Sequence, residues 1–460
     1  MDKSKELGVE SVGRLLLKFS IPAVIGMLVN ALYSVVDRIF VGRGVGEIAL
    51  SGVGITFPIS NVIMAVGMLV GIGAAAVVSI KLGEKKQEEA EKIIGHTFTL
   101  SIMLSILVTI IGLIFLNPIL KALGASAETM PYAKPFATII LIGAVLQNAG
   151  FGLNPLIRAE GNPKMAMVTM LIGAVLNFII NPILIFGFKW GVVGSASATL
   201  ISQAVCSIWI FAYFTKGKSL LRLKRKNMIL EKKVVNEIIA IGMSPFSMQI
   251  AASLVTITFN KSLSKYGGDS AIGAFSVINS IAVLIIMPLL GINQGAQPII
   301  GYNYGAKNIA RIKRTLKYNI IATTCFSTVG FILVQLFSKQ IIEIFSKDDN
   351  QFILMAAHGM RIFMLMFAFV GAQTTCANYF QAVGKAKNSM FLSLLRQVVL
   401  LIPMILILPN FMKLNGIWAA AAVSDLVSSI ISYVMTASEM KKLTRIKYDK
   451  DTELENKIVI

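Results

Sequence analysis

Asp37 lies inside the first apolar segment, SIPAVIGMLVNALYSVVDRIFVG, where an aspartate costs roughly 2.5 to 3.5 kcal/mol at the centre of a membrane helix. Of 23 acidic residues, only Asp37 and Asp425 fall well within apolar stretches, so ordinary surface solvation accounts for neither. Asn30, Tyr33 and Asp37 recur at i, i+3 and i+7, which places them on one face of a helix. Asn177 and Asn181 stand one turn apart, and Ser195, Thr199 and Ser202 share a face further on. A carboxylate with amide and hydroxyl oxygens offers hard ligands that suit a sodium ion. The same carboxylate in an apolar pocket can carry a proton instead. Residue types alone leave both chemistries open.

Such a cluster needs elements that hold it at one depth in a membrane. The chain is 55% hydrophobic and 14% charged over 460 residues, whereas a soluble domain carries about 25% charged residues. Stretches of about 20 apolar residues, each able to cross a roughly 30 Å hydrocarbon layer, occur twelve times. They cover 15–40, 50–78, 93–117, 133–157, 165–188, 191–214, 235–262, 271–300, 316–338, 354–382, 389–409 and 414–438. On this topology Asp37, Asn181 and Thr199 come to a similar depth near the outer ends of their helices.

The net charge of +20 follows the membrane rather than a nucleic-acid face. With an even number of spans, both termini and every second loop share one side, and most of the 43 Lys and Arg residues fall there. They include Lys3, Arg14, Lys85, Lys86, Arg158, Lys164, the linker KGKSLLRLKRKNMILEKK, Lys385, Lys387 and the tail from Lys441. The positive-inside rule makes that side cytoplasmic, with both termini inside. No small-residue cleavage site follows the first apolar core, so that span is expected to be retained. Cys206, Cys325 and Cys376 lie in apolar spans without CxxC spacing and read as small membrane hydrophobes.

The basic linker at 216–233 divides the chain into six spans and six spans, and the halves echo one another. GMLVGIGAAAVVSIKLGEKK in the first half answers PLLGINQGAQPIIGYNYGAK in the second. An offset of 222 places Gly73 on Gly295, Ala74 on Ala296, Gly83 on Gly305 and Lys85 on Lys307. IRAEGNPKMAM is echoed by FQAVGKAKNSM at an offset of 223. Parallel repeats of six spans imply two bundles related by a pseudo-two-fold axis along the membrane normal. The expected architecture is therefore an all-α integral membrane protein of twelve transmembrane helices. Residues 1–215 form one six-helix bundle, 216–233 a linker, 234–440 the second bundle and 441–460 a cytoplasmic tail. At the same offset Asp37 meets Phe259, so the carboxylate belongs to one bundle only.

Seven motifs in this order, on twelve spans, resemble the multidrug and toxic compound extrusion (MATE) family over nearly the whole chain. They are Pro22 with Asp37, GIGAAAVVSIKLGEKK, RAEGNPKMAM, LNFIINPILIFG, GVVGSASATLIS, NQGAQPIIGYNYGAK and FQAVGKAKNSM. The resemblance implies a prokaryotic cell-membrane antiporter, driven by protons or sodium ions, that exports bulky cationic or amphipathic compounds by alternating access. It implies ion coupling at Asp37, Tyr33, Asn177, Asn181 and Thr199, with sodium a possible ligand of Asp37, Asn177, Asn181 and Thr199. It also implies helix bending at Pro22 and a monomer. Many relatives carry an acid where this chain has Asn181, which leaves one carboxylate in the proposed site. No organic cofactor, resident metal or nucleic-acid partner is expected.

The second half carries Gln249, Arg361, Arg396 and Asp425 within its spans, and an Arg to Asp pair is expected there because a lone buried charge is costly. A membrane enzyme is disfavoured: only His96 and His358 are present, with no HExxH or Walker sequence. A channel lacks a ring of filter residues. The nearest rival is a flippase for lipid-linked saccharides, whose cationic cavity would have only Arg361 and Arg396 to draw on.

Overall fold

A bilayer offers backbone groups no water, so each apolar segment must satisfy its own N–H and C=O groups as a helix. The computed structural model describes residues 3–217, 219–345 and 350–458. The first half contains α1 (Val12–Gly44), α2 (Phe57–Gly83), α3 (Gln87–Ile114), α4 (Met130–Ala159), α5 (Pro163–Pro182, prolonged by a π-helical turn at Ile183–Gly187) and α6 (Gly191–Thr215). α1 is helical throughout, with Pro22 inside it.

A continuous helical assignment covers Lys232–Gly305, 74 residues, which if straight would measure about 110 Å against a roughly 30 Å hydrocarbon layer. Gly268 resolves this. Its φ of 64° and ψ of −162° reverse the chain, a conformation that glycine adopts without steric cost. The arms become α7 (232–267) and α8 (269–305). α9 (Ile309–Glu343) follows, then α10, which is broken into Asn350–Phe363 and Phe367–Ala382 with a 45° bend. α11 runs from Ala386 to Ile407 through a π-helical segment at Leu395–Leu401. In the last stretch, Pro409–Ile458, a non-helical Lys413 (φ 50°) starts α12 (414–458). The twelve expected spans are present, and the break in α10 is an addition to them. Gln335 of α9 donates at 2.9 Å to Arg361 O, a carbonyl that the break frees, and Ser327 donates at 2.8 Å to Ala368 O.

Two hydrophobic cores sit in each half. Val41, Ala133, Leu141 and Ala196 build one end of the first bundle, and Ala74, Ile94, Leu156 and Phe214 the other. Phe259, Phe275, Met360 and Trp418 build one end of the second, and Ile299, Leu316, Phe380 and Leu392 the other. The inner ends of α1 and α7 cross over: Leu16 and Phe19 join the second bundle's core, while Ile238 and Ile241 join the first. The 222 offset exchanges these pairs, Leu16 with Ile238 and Phe19 with Ile241. Faces that meet no helix are apolar, as Ile106, Ile110 and Ile114 of α3 and Val329, Leu333 and Leu336 of α9 show, as lipid contact requires.

The bundles close on each other at the face bearing both termini. A Cβ on Gly83 would lie 1.9 Å from Tyr302 O, and one on Gly305 would lie 2.0 Å from Ile80 O. Again the offset exchanges the two contacts. The helix Lys3–Val9 docks on the same face, where Leu7 O accepts from Asn303 Nδ2 and Arg311 Nη2, each at 3.0 Å. The linker docks beside the first bundle. Glu160 accepts from Ser219 Oγ, at 2.6 Å, and from the backbone N–H groups of Leu220 and Leu221, and Glu91 pairs with Lys224. The side chain of Lys3 lies outside the described residues, as do those of the tail beyond Arg445.

Candidate functional site

Helices α1, α5 and α6 bring the polar residues together. On α1, Asp37 Oδ1 accepts two hydrogen bonds, one from Asn181 Nδ2 at 2.5 Å and one from Ser195 Oγ at 2.8 Å. Asn181 Nδ2 also lies 3.4 Å from Asn177 Oδ1. Tyr33 OH and Thr199 Oγ1 are 3.0 Å apart, and Asn177 Nδ2 donates to Thr199 at 3.3 Å. The five residues expected to act together therefore form one connected cluster. Asn177, Asn181 and Ser195 are buried, while Asp37 is only partly so.

Both donors converge on one carboxylate oxygen, and no hydrogen bond from a described residue reaches Oδ2. Asp37 forms no ion pair among the described residues: Arg38 turns away and stacks on Phe57, 4.3 Å from its centroid. Asn181 Oδ1 is buried without a hydrogen-bond partner, an arrangement that normally carries a cost of about 1–3 kcal/mol. An oxygen of this kind is available to a cation that enters beside the carboxylate. Ser195 is the contributor the sequence left out of the ion-coupling set. Its signal was the four-residue spacing from Thr199 on the same helix face.

A cavity of about 90 Å³ continues from this cluster into the first bundle. Its walls are mostly apolar, with Phe151, Met170 and Ile210 among them, and carry a line of polar groups from Tyr33, Asn154, Thr169, Asn177, Ser202 and Gln203. Three histidine, cysteine or acidic residues gathered as a metal site do not occur among the described residues.

The remaining candidates lie apart. Arg396 Nε donates to Asp425 Oδ1 at 2.6 Å, so the expected ion pair forms with Arg396. Arg361 instead donates to Ser338 Oγ at 2.6 Å. Gln249 reaches across the bundles to Asn61 Oδ1 at 3.4 Å. At the 223 offset Arg396 corresponds to Gly173 and Asp425 to Ser202, both of which line the first bundle's cavity. The second bundle thus holds an ion pair where the first holds open space.

The MatE family profile matches the chain twice, at residues 22–183 and 246–407, two stretches of equal length that coincide with the internal repeat. The chain belongs to the MatE family. It is a multi-pass membrane transporter, not an enzyme. Among its relatives is the multidrug export protein MepA of Staphylococcus haemolyticus, 26% identical over 94% of this chain and 95% of that protein. MepA of Staphylococcus aureus (strain MRSA252) is 27% identical, with 92% and 94% covered. Among solved structures, the MATE multidrug transporter DinF-BH is 38% identical, with a TM-score of 0.88 over 94% of this chain and 96% of that one. An outward-facing MATE family transporter superposes with a TM-score of 0.90 at 24% identity, over 96% and 98% of the two chains. That likeness establishes the shared two-bundle fold.

Proposed function

We propose that this MatE protein is a cation-coupled antiporter that exports bulky cationic or amphipathic compounds, with Asp37 as the ion carrier. The observation that carries the reading is Asp37 itself, a membrane-embedded carboxylate held only by neutral donors on one oxygen, beside the partnerless Asn181 Oδ1. The substrate class is taken from the relatives, which are named for multidrug export or as multidrug transporters. In this reading, the face closed by Gly83 and Gly305 is cytoplasmic, and both termini lie there. The basic residues concentrated on that face support the orientation. The protein acts as a monomer in a prokaryotic cell membrane.

An ion shifts a two-state equilibrium only by its difference in affinity for the two states. Its arrival at Asp37 competes with the Asn181 and Ser195 donors and so loosens the contact of α1 with α5 and α6. α1 also enters the second bundle's core through Leu16 and Phe19, which gives the change at Asp37 a mechanical path to the bundle interface. Proton and sodium are the two candidate ions, and Asp37, Asn177, Asn181 and Thr199 would supply oxygens to sodium. A saccharide flippase finds little support, because Arg361 and Arg396 are already engaged by Ser338 and Asp425.

Purified protein in vesicles loaded with a cationic dye, under an imposed proton gradient and separately a sodium gradient, tests the proposal. One of the two gradients drives export, and Asp37→Asn abolishes the drive at unchanged abundance. Normal gradient-driven export by that variant would sink the coupling role.

A further inference from the structure

Arg158 stands near the inner end of α4, where a long basic side chain ordinarily reaches out to the interface. Here it does not. The residue is only 7% exposed, and it forms no ion pair among the described residues. Its hydrogen bond goes inward, from Nη1 to Asn154 Oδ1 at 2.8 Å. Asn154 in turn donates to Ala166 O at 3.1 Å and to Thr169 Oγ1 at 2.5 Å. Asn154 and Thr169 are walls of the cavity that starts at Tyr33 and Asn177. Along α5, Asn177 to Thr169 covers about 12 Å, and Arg158 lies about 6 Å further inward than Asn154 along α4. A line of polar side chains along one wall of the cavity thus leads from the Asp37 cluster toward the terminus-bearing face, and just beyond the cavity it ends at a buried guanidinium bonded to Asn154.

The fold does not need that charge. At the 223 offset Arg158 corresponds to Gln381, a neutral residue that is just as buried at 8% exposure. Asn154 corresponds to Ala377 and Thr169 to Leu392, so the two polar groups nearest Arg158 are apolar in the second bundle. Nor does Arg158 hold the linker, since Glu160 does that. A buried cation without a counter-ion is costly, and it occurs in the bundle that holds Asp37 and the cavity described above.

We propose that Arg158, oriented by Asn154, is a charge barrier that stops cations from passing from the Asp37 cluster through the first bundle without a bundle rearrangement. A fixed positive charge at the inner end of that line of polar groups repels a proton or sodium ion while leaving neutral water unaffected. The inference rests on the coupling reading of Asp37, for without a cation at that site there is nothing to hold back.

The test is passive ion flux in drug-free vesicles containing the full chain, driven by a potassium diffusion potential and read with internal pH and sodium indicators and, separately, a chloride indicator. Arg158→Gln is expected to raise proton or sodium entry at least tenfold over the native protein without raising chloride entry. Asn154→Asp, which sets a carboxylate against the guanidinium with almost no change of shape, should do the same, and Arg158→Lys should stay sealed. Cation entry at the native level in both Arg158→Gln and Asn154→Asp overturns the proposal. So does a leak that admits chloride equally, which would signify collapsed packing. If Arg158→Gln does not fold, Asn154→Asp decides alone. Gradient-driven dye export by the native protein is recorded in the same preparation. Its absence would reject the coupling reading, whereas its presence beside leak-free variants would reject only the barrier.

Discussion

Replacing Gly83 by alanine should push the protein out of the arrangement in which its terminus-bearing face is closed. The new Cβ would sit 1.9 Å from Tyr302 O and 2.9 Å from Ala306 N. Tyr302 O belongs to the backbone of α8, so no side chain can swing aside, and α2 and α8 must part by about 1.5 Å to reach ordinary contact. Overpacking of this kind costs about 1–3 kcal/mol, and alanine's better helix propensity does not offset it, because α2 is helical in both arrangements. This cost of about 1–3 kcal/mol falls on the closed arrangement, because the contact joins the bundles rather than building either one. At about 1.4 kcal/mol per decade the closed population should drop about 5- to 140-fold relative to the open one. Gly305→Ala meets Ile80 O at 2.0 Å and should act alike. Once either substitution has parted the helices, the other meets open space, so the double variant should be less than additive. Spin labels on Glu88→Cys and Ala310→Cys, with Cys206, Cys325 and Cys376 replaced by alanine, would report the separation across this face. An unchanged distance distribution in folded Gly83→Ala would refute the reasoning.

Arg396→Met strands Asp425, whose side chain is 4% exposed, and should lower stability by about 3–5 kcal/mol, with Arg396→Met/Asp425→Leu recovering most of the loss. Thermal unfolding in detergent checks this, and equal melting of the single and double variants would show that the pair is not responsible. Burial pushes the Glu160 carboxyl above its ordinary value of 4.5, although Ser219, Tyr213 and the N–H groups of Leu221 and Leu220 partly offset the shift. An acid with a raised folded pKa binds its proton more tightly in the docked state, so docking of the linker is strongest below pH 4.5 and weakens as pH rises through the raised value. Protection of residues 219–228 against hydrogen exchange, taken relative to the intrinsic base-catalysed rate, should therefore fall across that window, and in Glu160→Gln that fall should vanish.

Much of the fold was legible because membrane burial imposes a length and a polarity on each span. Asp37, Asn177, Asn181 and Thr199 could be grouped for the same reason, since helical spacing and an even-numbered topology fix face and depth. The break in α10 was not legible: Phe363 to Phe367 contains no glycine or proline, and Gln335, which donates to the freed Arg361 carbonyl, belongs to α9. Ser195 was placed on the correct face, yet its bond to Asp37 depends on how closely α6 approaches α1. Arg158 read as one more solvent-facing basic residue, because sequence shows the end of a helix but not which way the side chain folds.

By itself the sequence determined the twelve membrane-crossing segments, the duplication that relates them, and the restriction of the Asp37 carboxylate to one bundle. These follow from periodicity, composition and the cost of charge in hydrocarbon, which act on each segment alone. Tertiary structure decided which polar atoms meet, which Arg pairs with Asp425, that the inner ends of α1 and α7 exchange bundles, and that Gly83 and Gly305 close one face. Each of these depends on the distance between helices far apart in the chain, and that distance is set by side-chain packing across the whole molecule.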